Sequence, residues 1–280
     1  MLCLWCWRND SHIRQVSFTL PQNCNHSHCP FQSESNPFQS ARISGAHINP
    51  AATFALALDG KLRWTLVPIY MLAQYAGGFL AALLLFVNYR EAIDSIDGGK
   101  HSAFGTGQST GGIFATYPAS YVTPLGALLD QIVGTAMLLF SISAVTDRSN
   151  HGLEERHQPL VVAFVVGLIC VAFSANCGAI FNPARDLPPR LITAIFGYPS
   201  VWSPLEGTYW VLAGWLGPHI GAIIGVFGYK YTIGAALEAH RRYMQQFHPQ
   251  TVSVVRGEVE TDLNKPQRLT TITTTTTHRR

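Results

Sequence analysis

Hydrophobic and polar positions along the chain fall into long blocks rather than alternating. Four runs are apolar over a length that crosses a bilayer: Trp64 to Tyr89, Tyr117 to Thr146, Gln158 to Ala184 and Gly207 to Tyr229. A hydrocarbon core of about 30 Å takes about 20 residues in helical rise, so each run predicts a membrane-spanning helix. The first, WTLVPIYMLAQYAGGFLAALLLFVNY, carries no charge and holds Gly77-Gly78 and several alanines, small residues that let packed helices approach closely. The second holds one acid, Asp130, and the fourth one histidine, His219. Both are expected to face protein or water rather than lipid, in packing roles.

Polar stretches separate the runs. Arg90 to Thr116 is glycine-rich, and Asp147 to His157 is short and charged. The tail, ending TTITTTTTHRR, is threonine-rich and predicted to be disordered. Lys61, Arg63, Arg148, Arg156, Lys230, Arg241 and Arg242 flank the span ends on one side of the alternation, and Arg90 and Lys100 lie on the other. An excess of basic residues marks the cytoplasmic side, which predicts cytoplasmic termini.

Two further apolar stretches are too short to cross. They are Ile43 to Leu58, ISGAHINPAATFALAL, and the region around Asn182, and both contain Asn-Pro-Ala: Asn49, Pro50, Ala51 and Asn182, Pro183, Ala184. Asparagine is a favoured N-cap, and proline suits the first helical position because its missing N–H would find no partner there. Each motif therefore predicts the start of a helix. If the asparagine oxygen caps its own first turn, the amide donors are expected to stay free for a passing solute. The residues before each motif, Gly45, Ala46, His47 and Ile48, and Gly178, Ala179, Ile180 and Phe181, are expected to be non-helical. At membrane depth such backbone survives only where it is buried in protein or lines a water-filled cavity. The carbonyls of Gly45, Ala46, His47, Gly178, Ala179 and Ile180 are accordingly candidates to line a pore. Half-helices entering from opposite faces would meet N-terminus to N-terminus, the pattern of inverted repeats. The simpler alternative is a pair of ordinary Asn-Pro turns.

Composition agrees with the blocks. The 280 residues are 48% hydrophobic and 12% charged, against about 25% charged in ordinary soluble domains. A net charge of +3, spread along the chain, gives no footprint for nucleic acid. The spans hold one acid and no convergent set of titratable side chains, which leaves no basis for an enzyme or a cofactor.

SGAHINPA and NPARDLPPR, with FATYPA, DQIVGTA and GPHIGAIIG at fitting places, resemble the major intrinsic proteins, the aquaporin and glycerol-facilitator family. The likeness runs from Ser44 to about Gly234. It implies an all-α membrane protein, an aquaporin-like inverted-repeat bundle with four full spans plus two half-helices. The channel domain would be 44–234, with half-helices about 49–58 and 182–197 and spans about 64–89, 119–146, 158–178 and 207–230. A polar leader 1–43 would precede it and a disordered cytoplasmic tail 235–280 would follow.

The resemblance also implies function: a passive channel for glycerol, water and small neutral solutes, urea among them, tetrameric in the plasma membrane. Facing half-helix N-termini exclude cations there, a device known from aquaporin pores themselves. Asp186, directly after Asn-Pro-Ala-Arg, resembles the glycerol-conducting branch, the aquaglyceroporins, as does the run ending in Arg190. Arg185 matches the filter arginine, which donates to solute hydroxyls and adds a permanent charge against cations. The plain alternative for it is an interfacial arginine reaching toward water. Ala179 and Cys170 fall at the other filter positions, and their small size implies a wide constriction. Gly214-Trp215 departs from the glycerol branch and resembles the water-selective one. Gln131 falls where a buried glutamate commonly steadies a motif loop, a task an amide can do without the desolvation cost of a charge.

Family members have six spans, and residues 1–43 hold no apolar run long enough to supply one. The expectation is therefore a chain lacking the first two spans, with the filter's aromatic wall missing. That raises the alternative of a truncated, non-conducting subunit that joins full-length protomers in hetero-tetramers. Cys3, Cys6, Cys24, His26, His28 and Cys29 include a Cys-x-x-Cys pair suited to zinc, but the second cluster has no standard spacing, so incidental cysteines are expected. The sequons at Asn9 and Asn25 would go unused on a cytoplasmic N-terminus.

Overall fold

The computed structural model describes Gly45 and residues 47–106, 108–151 and 153–247. The leader, Ala46 and the threonine-rich end lie outside the described residues. All regular structure among the described residues is helical. Helix α1 is Pro50–Leu58, α2 Val67–Asp97, α3 Pro124–Thr146, α4 Gln158–Ala172, α5 Pro183–Ile195 and α6 Gly217–Tyr229. A further helix, α7, covers Ala235–Phe247. It replaces the disorder expected from 235 onward: its sequence AALEAHRRYMQQF is rich in helix formers, and Glu238 pairs with Arg241 and Arg242 at helical spacing.

Among the described residues, three helical runs are long and apolar enough to cross a membrane, beginning at Trp64, Pro124 and Tyr209. The fourth expected span differs. Its helix α4 has 15 residues, about 22 Å of rise, and ends at Phe173, whose backbone leaves the helical region at φ −110° and ψ 15°. A separate turn, Ser174–Cys177, follows before the second motif. The first span runs on past Tyr89 to Asp97 and stops at Gly98, which takes the left-handed conformation that suits a glycine C-cap. A π-helical turn, Leu212–Leu216, interrupts the last span before α6.

The helices are apolar on their outward faces too. Leu125, Leu129, Val133 and Met137 stand exposed along α3, and Leu160, Phe164, Leu168 and Val171 along α4. In water such stripes would cost about 25 cal/mol per Å², whereas lipid accepts them. Inward, α3 and α6 make the largest helix–helix contact through Gly217, Gly221 and Gly225, one residue per turn. A Cβ added to Gly221 would stand 2.8 Å from Thr135 Cβ and closer still to the Ile132 carbonyl; one on Gly225 would meet the Phe140 nitrogen at 2.9 Å. The helices touch backbone to backbone because nothing else fits.

The short helix α5 is held by a buried ion pair. Asp186 and Arg190 are both 0% exposed, one helical turn apart, with Arg190 Nη2 2.9 Å from Asp186 Oδ2. Asp186 Oδ1 accepts the backbone N–H of Thr116 at 2.8 Å and its hydroxyl at 2.7 Å. Arg190 also donates to the carbonyls of Val201 and Thr116, and its guanidinium lies 4.8 Å from the Tyr117 ring centre. The pair thus pins α5 to the connection between α2 and α3 and to the one that follows α5. Gly78 of α2 sits where any Cβ would strike the Ala184 carbonyl, an acceptor left without its helical donor by Pro188.

Two stability predictions follow from these contacts. Gly221→Ala should lower the thermal unfolding temperature of the detergent-solubilised protein by the equivalent of about 1–3 kcal/mol. Gly228→Ala, whose added methyl would stand 3.6 Å from the nearest Phe140 atom, should be neutral or stabilising by up to about 1 kcal/mol. Asp186→Asn strands a buried guanidinium and should cost about 3–5 kcal/mol in the same measurement, with Asp186→Asn/Arg190→Met recovering part of the loss.

Candidate pore and filter

Both Asn-Pro-Ala motifs begin helices in the same way. Asn49 and Asn182 hold extended backbones, at φ −136° and −143°, and each accepts with its side-chain oxygen from the alanine N–H two residues on, at 2.9 and 3.0 Å. Proline occupies the first helical position in each. The local sequence is sufficient for this, since cap and proline are adjacent.

The other end of each amide crosses to the opposite motif. Asn49 Nδ2 donates to the Phe181 carbonyl at 2.8 Å, and Asn182 Nδ2 donates to the Ile48 carbonyl at 3.0 Å. This corrects the expectation that the amide donors stay free. Each NH₂ carries two hydrogens, and one of them ties the half-helix starts together. The tie joins α1 and α5 N-terminus to N-terminus, so their positive ends face a common point.

Backbone before each motif is irregular. Gly178, Ala179 and Phe181 have φ of 76°, 51° and 46°, and Gly45 has 73°. For Ala179 and Phe181 this left-handed conformation costs roughly 1 kcal/mol or more each, so the surroundings must impose it. Gln131 of α3 does so: its Oε1 accepts the N–H groups of Ile180 and Phe181 at 3.0 and 3.1 Å, while its Nε2 donates to Asp130. Asp130 also receives Asn176 Nδ2, which makes it the packing acid expected. Tyr209, fully buried, donates to the Cys177 carbonyl at 2.9 Å and meets the Thr116 hydroxyl at 3.1 Å.

The first motif has a matching support that sequence reasoning missed. Gln74 of α2 donates from Nε2 to the His47 carbonyl and to the Thr53 hydroxyl. The available signal was an amide in the middle of the uncharged run from Trp64 to Tyr89, whose other amide, Asn88, stands at its end. His47 accepts at that carbonyl, as expected of its backbone, and its ring stacks on Tyr70 at 4.6 Å. Among the candidate pore carbonyls, that of Ile180 accepts the Asn182 N–H, and Ala46 lies outside the described residues.

The filter candidates fall in two groups. Ala179 is buried in the core cluster that contains Ala51, Ile169 and Phe181, and Cys170 packs against that cluster. Arg185, half-buried on the first turn of α5, donates from Nη1 to the Phe114 carbonyl at 3.1 Å, which fixes it to the connection before α3. Asp186 is not presented to a solute path. Its carboxylate is taken up by Thr116 and Arg190. Thr116 and Tyr209 are further supports that no local pattern announces, and Arg190, known from the sequence only as the end of a family-like run, is a third. His219 bonds the Trp215 carbonyl and contacts the Phe54 ring, a packing role.

Around the pore, burial pushes the Tyr198 phenol up despite its hydrogen bond to Thr110, so the hydroxyl stays protonated at neutral pH. At the far end of α1, burial alone would raise the Asp59 carboxyl. Hydrogen bonds from Lys230 and Lys61 and their charges hold it below the usual range.

Comparison with known proteins supports one assignment. A profile of the family described as Major intrinsic protein matches residues 36–229. A relative named aquaporin-2 from Milnesium tardigradum is 36% identical over 193 residues, covering 69% of this chain and 59% of the relative. Human aquaporin-10 is 38% identical over 197 residues, 70% of this chain and 64% of that protein. The chain thus spans about six tenths of the length of these curated relatives. In fold it resembles a solved aquaglyceroporin from Plasmodium falciparum, with a TM-score of 0.63 at 23% identity over 71% of this chain and 78% of that one. With its apolar helices and its paired, mutually bonded Asn-Pro-Ala starts, the chain is an integral membrane protein and belongs to the major intrinsic protein family.

Proposed function

We propose that this chain forms a passive transmembrane channel for water, glycerol and small neutral solutes such as urea, closed to ions and protons. The observation that carries the reading is the reciprocal bond between the two half-helix starts, Asn49 to Phe181 and Asn182 to Ile48. Each helix start is equivalent to roughly +0.5 elementary charge, so two of them facing one point repel a cation or an excess proton. A neutral solute meets no such barrier and can accept the second hydrogen of each amide. Exclusion of this kind is the device of aquaporin pores themselves.

Arg185 is the proposed filter arginine. Its guanidinium is permanently charged and keeps donors in a planar fork suited to a hydroxyl or a water oxygen. Ala179 and Cys170 are the proposed small residues of the same constriction, giving width for glycerol. Asp186 favours the same branch, and the solved structure this chain resembles in fold is that of an aquaglyceroporin. The basic residues flanking the spans put both termini in the cytoplasm, and we propose a plasma-membrane tetramer of this chain or of this chain with other family members.

Stopped-flow swelling of proteoliposomes tests the channel. Permeability to water and glycerol should exceed that of empty vesicles, and flux at the empty-vesicle level from monodisperse protein would overturn the proposal. If such inert protein instead changed the permeability of a co-reconstituted family member, the modulating subunit would replace it. Arg185→Val should keep or raise glycerol flux while admitting protons, read as at least about tenfold faster quenching of an entrapped pH dye, because one full charge leaves the barrier.

A further inference from the structure

At the C-terminal end of α2, away from the motifs, Asp94, Asp97 and His101 converge. One ligand atom from each lies within 4.8 Å of the others. Asp97, with 1% of its side chain exposed, is held in place: Oδ1 accepts the Gly99 N–H at 2.9 Å and Oδ2 the Thr110 hydroxyl at 2.7 Å. His101 sits at φ 50°, an uncommon conformation for a residue with a side chain, and its ring is wedged beside Tyr198 and Phe86, at 5.1 and 6.0 Å. The fold therefore aims the imidazole at the two carboxylates.

The contacts inside the cluster are too long to be hydrogen bonds. His101 Nδ1 is 3.8 Å from Asp97 Oδ2, and His101 Nε2 is 3.9 Å from Asp94 Oδ1. His101 Nδ1 and Asp94 Oδ1 are both shielded from solvent and without a hydrogen-bond partner. A gap of this size between nitrogen and oxygen suits a metal ion. Ligands at about 2.0–2.2 Å around tetrahedral zinc stand roughly 3.3–3.6 Å apart. One imidazole gives one nitrogen to the ion, and with one ligand atom per residue all three atoms lie within 4.8 Å of one another, so the widest pair has to close by at most about 1.5 Å. Two carboxylates and a neutral imidazole balance a divalent cation, and the negative end of the α2 dipole favours it.

We propose that Asp94, Asp97 and His101 form a binding site for a divalent transition metal of the zinc class, with the fourth position open to water. The mixed nitrogen and oxygen set selects such an ion over calcium or magnesium, which take oxygen ligands. The site is independent of what the pore conducts. It would cross-link the end of α2 to the connection that follows it. Through Thr110, which bonds both Asp97 and the Tyr198 hydroxyl, the ion would also stiffen the segment whose Val201 carbonyl receives Arg190. Arg90, 3.7 Å from Asp94, competes with it.

Calorimetric titration of the purified full chain with Zn²⁺ tests the proposal, in parallel with His101→Asn, Asp94→Asn and Arg90→Ala. The wild type should bind one equivalent that either of the first two variants weakens by at least about tenfold, while Arg90→Ala tightens it, a gain that misfolding cannot produce. Titration with Co²⁺ separates this equivalent from any held by the thiols of Cys3, Cys6, Cys24 and Cys29, since thiolate ligation adds a charge-transfer band that this site lacks. Equal zinc affinity and stoichiometry in wild type and both ligand variants, or binding in the wild type that is thiolate-ligated throughout, would overturn the proposal.

Discussion

Irregular backbone within a membrane must find hydrogen bonds inside the protein, and here the two asparagine amides meet much of that demand. Each oxygen caps its own half-helix, and each nitrogen takes a carbonyl of the other motif. Because the arrangement is reciprocal, neither half-helix start can shift without breaking a bond at both ends of the pair. Around this crossing, Gln131 holds the second loop by its N–H groups and Gln74 holds the first by a carbonyl. Neutral amides serve both, so no buried charge has to be offset at the point where the two helix dipoles already concentrate positive potential.

Charge is instead buried one turn further along α5. Asp186 and Arg190 neutralise one another, and their spare hydrogen-bonding capacity goes to backbone of Thr116 and Val201. Removing either partner is costly, while the intact pair makes the half-helix a fixed point for two connections. One of those connections supplies the Phe114 carbonyl to Arg185, so the placement of the proposed filter arginine depends on a buried ion pair one turn along the same helix.

How much of this was legible in the sequence depends on how local the cause is. Asparagine caps and first-position prolines act within three residues, and the helix starts could be read directly. The apolar runs located four candidate spans but not their continuity: helix α4 breaks at Phe173, where the chain turns toward the second motif, and composition does not record that break. Gln131 was legible through family resemblance alone. Gln74, Arg190 and Tyr209 were not, because their partners lie far away in the chain and an amide or a tyrosine in an apolar run has no pattern of its own. The helix over 235–247 has its signal in local helix formers and in Glu238 at helical spacing from Arg241 and Arg242, which the threonine-rich composition further on obscures.

The glycine seam between α3 and α6 bears on how the molecule can move. A contact made of side chains can loosen step by step, one rotamer at a time. A contact of backbone against backbone, at Gly217, Gly221 and Gly225, has no rotamers to change. It is either seated or lost, so α3 and α6 travel as one rigid body with Gln131 mounted on it.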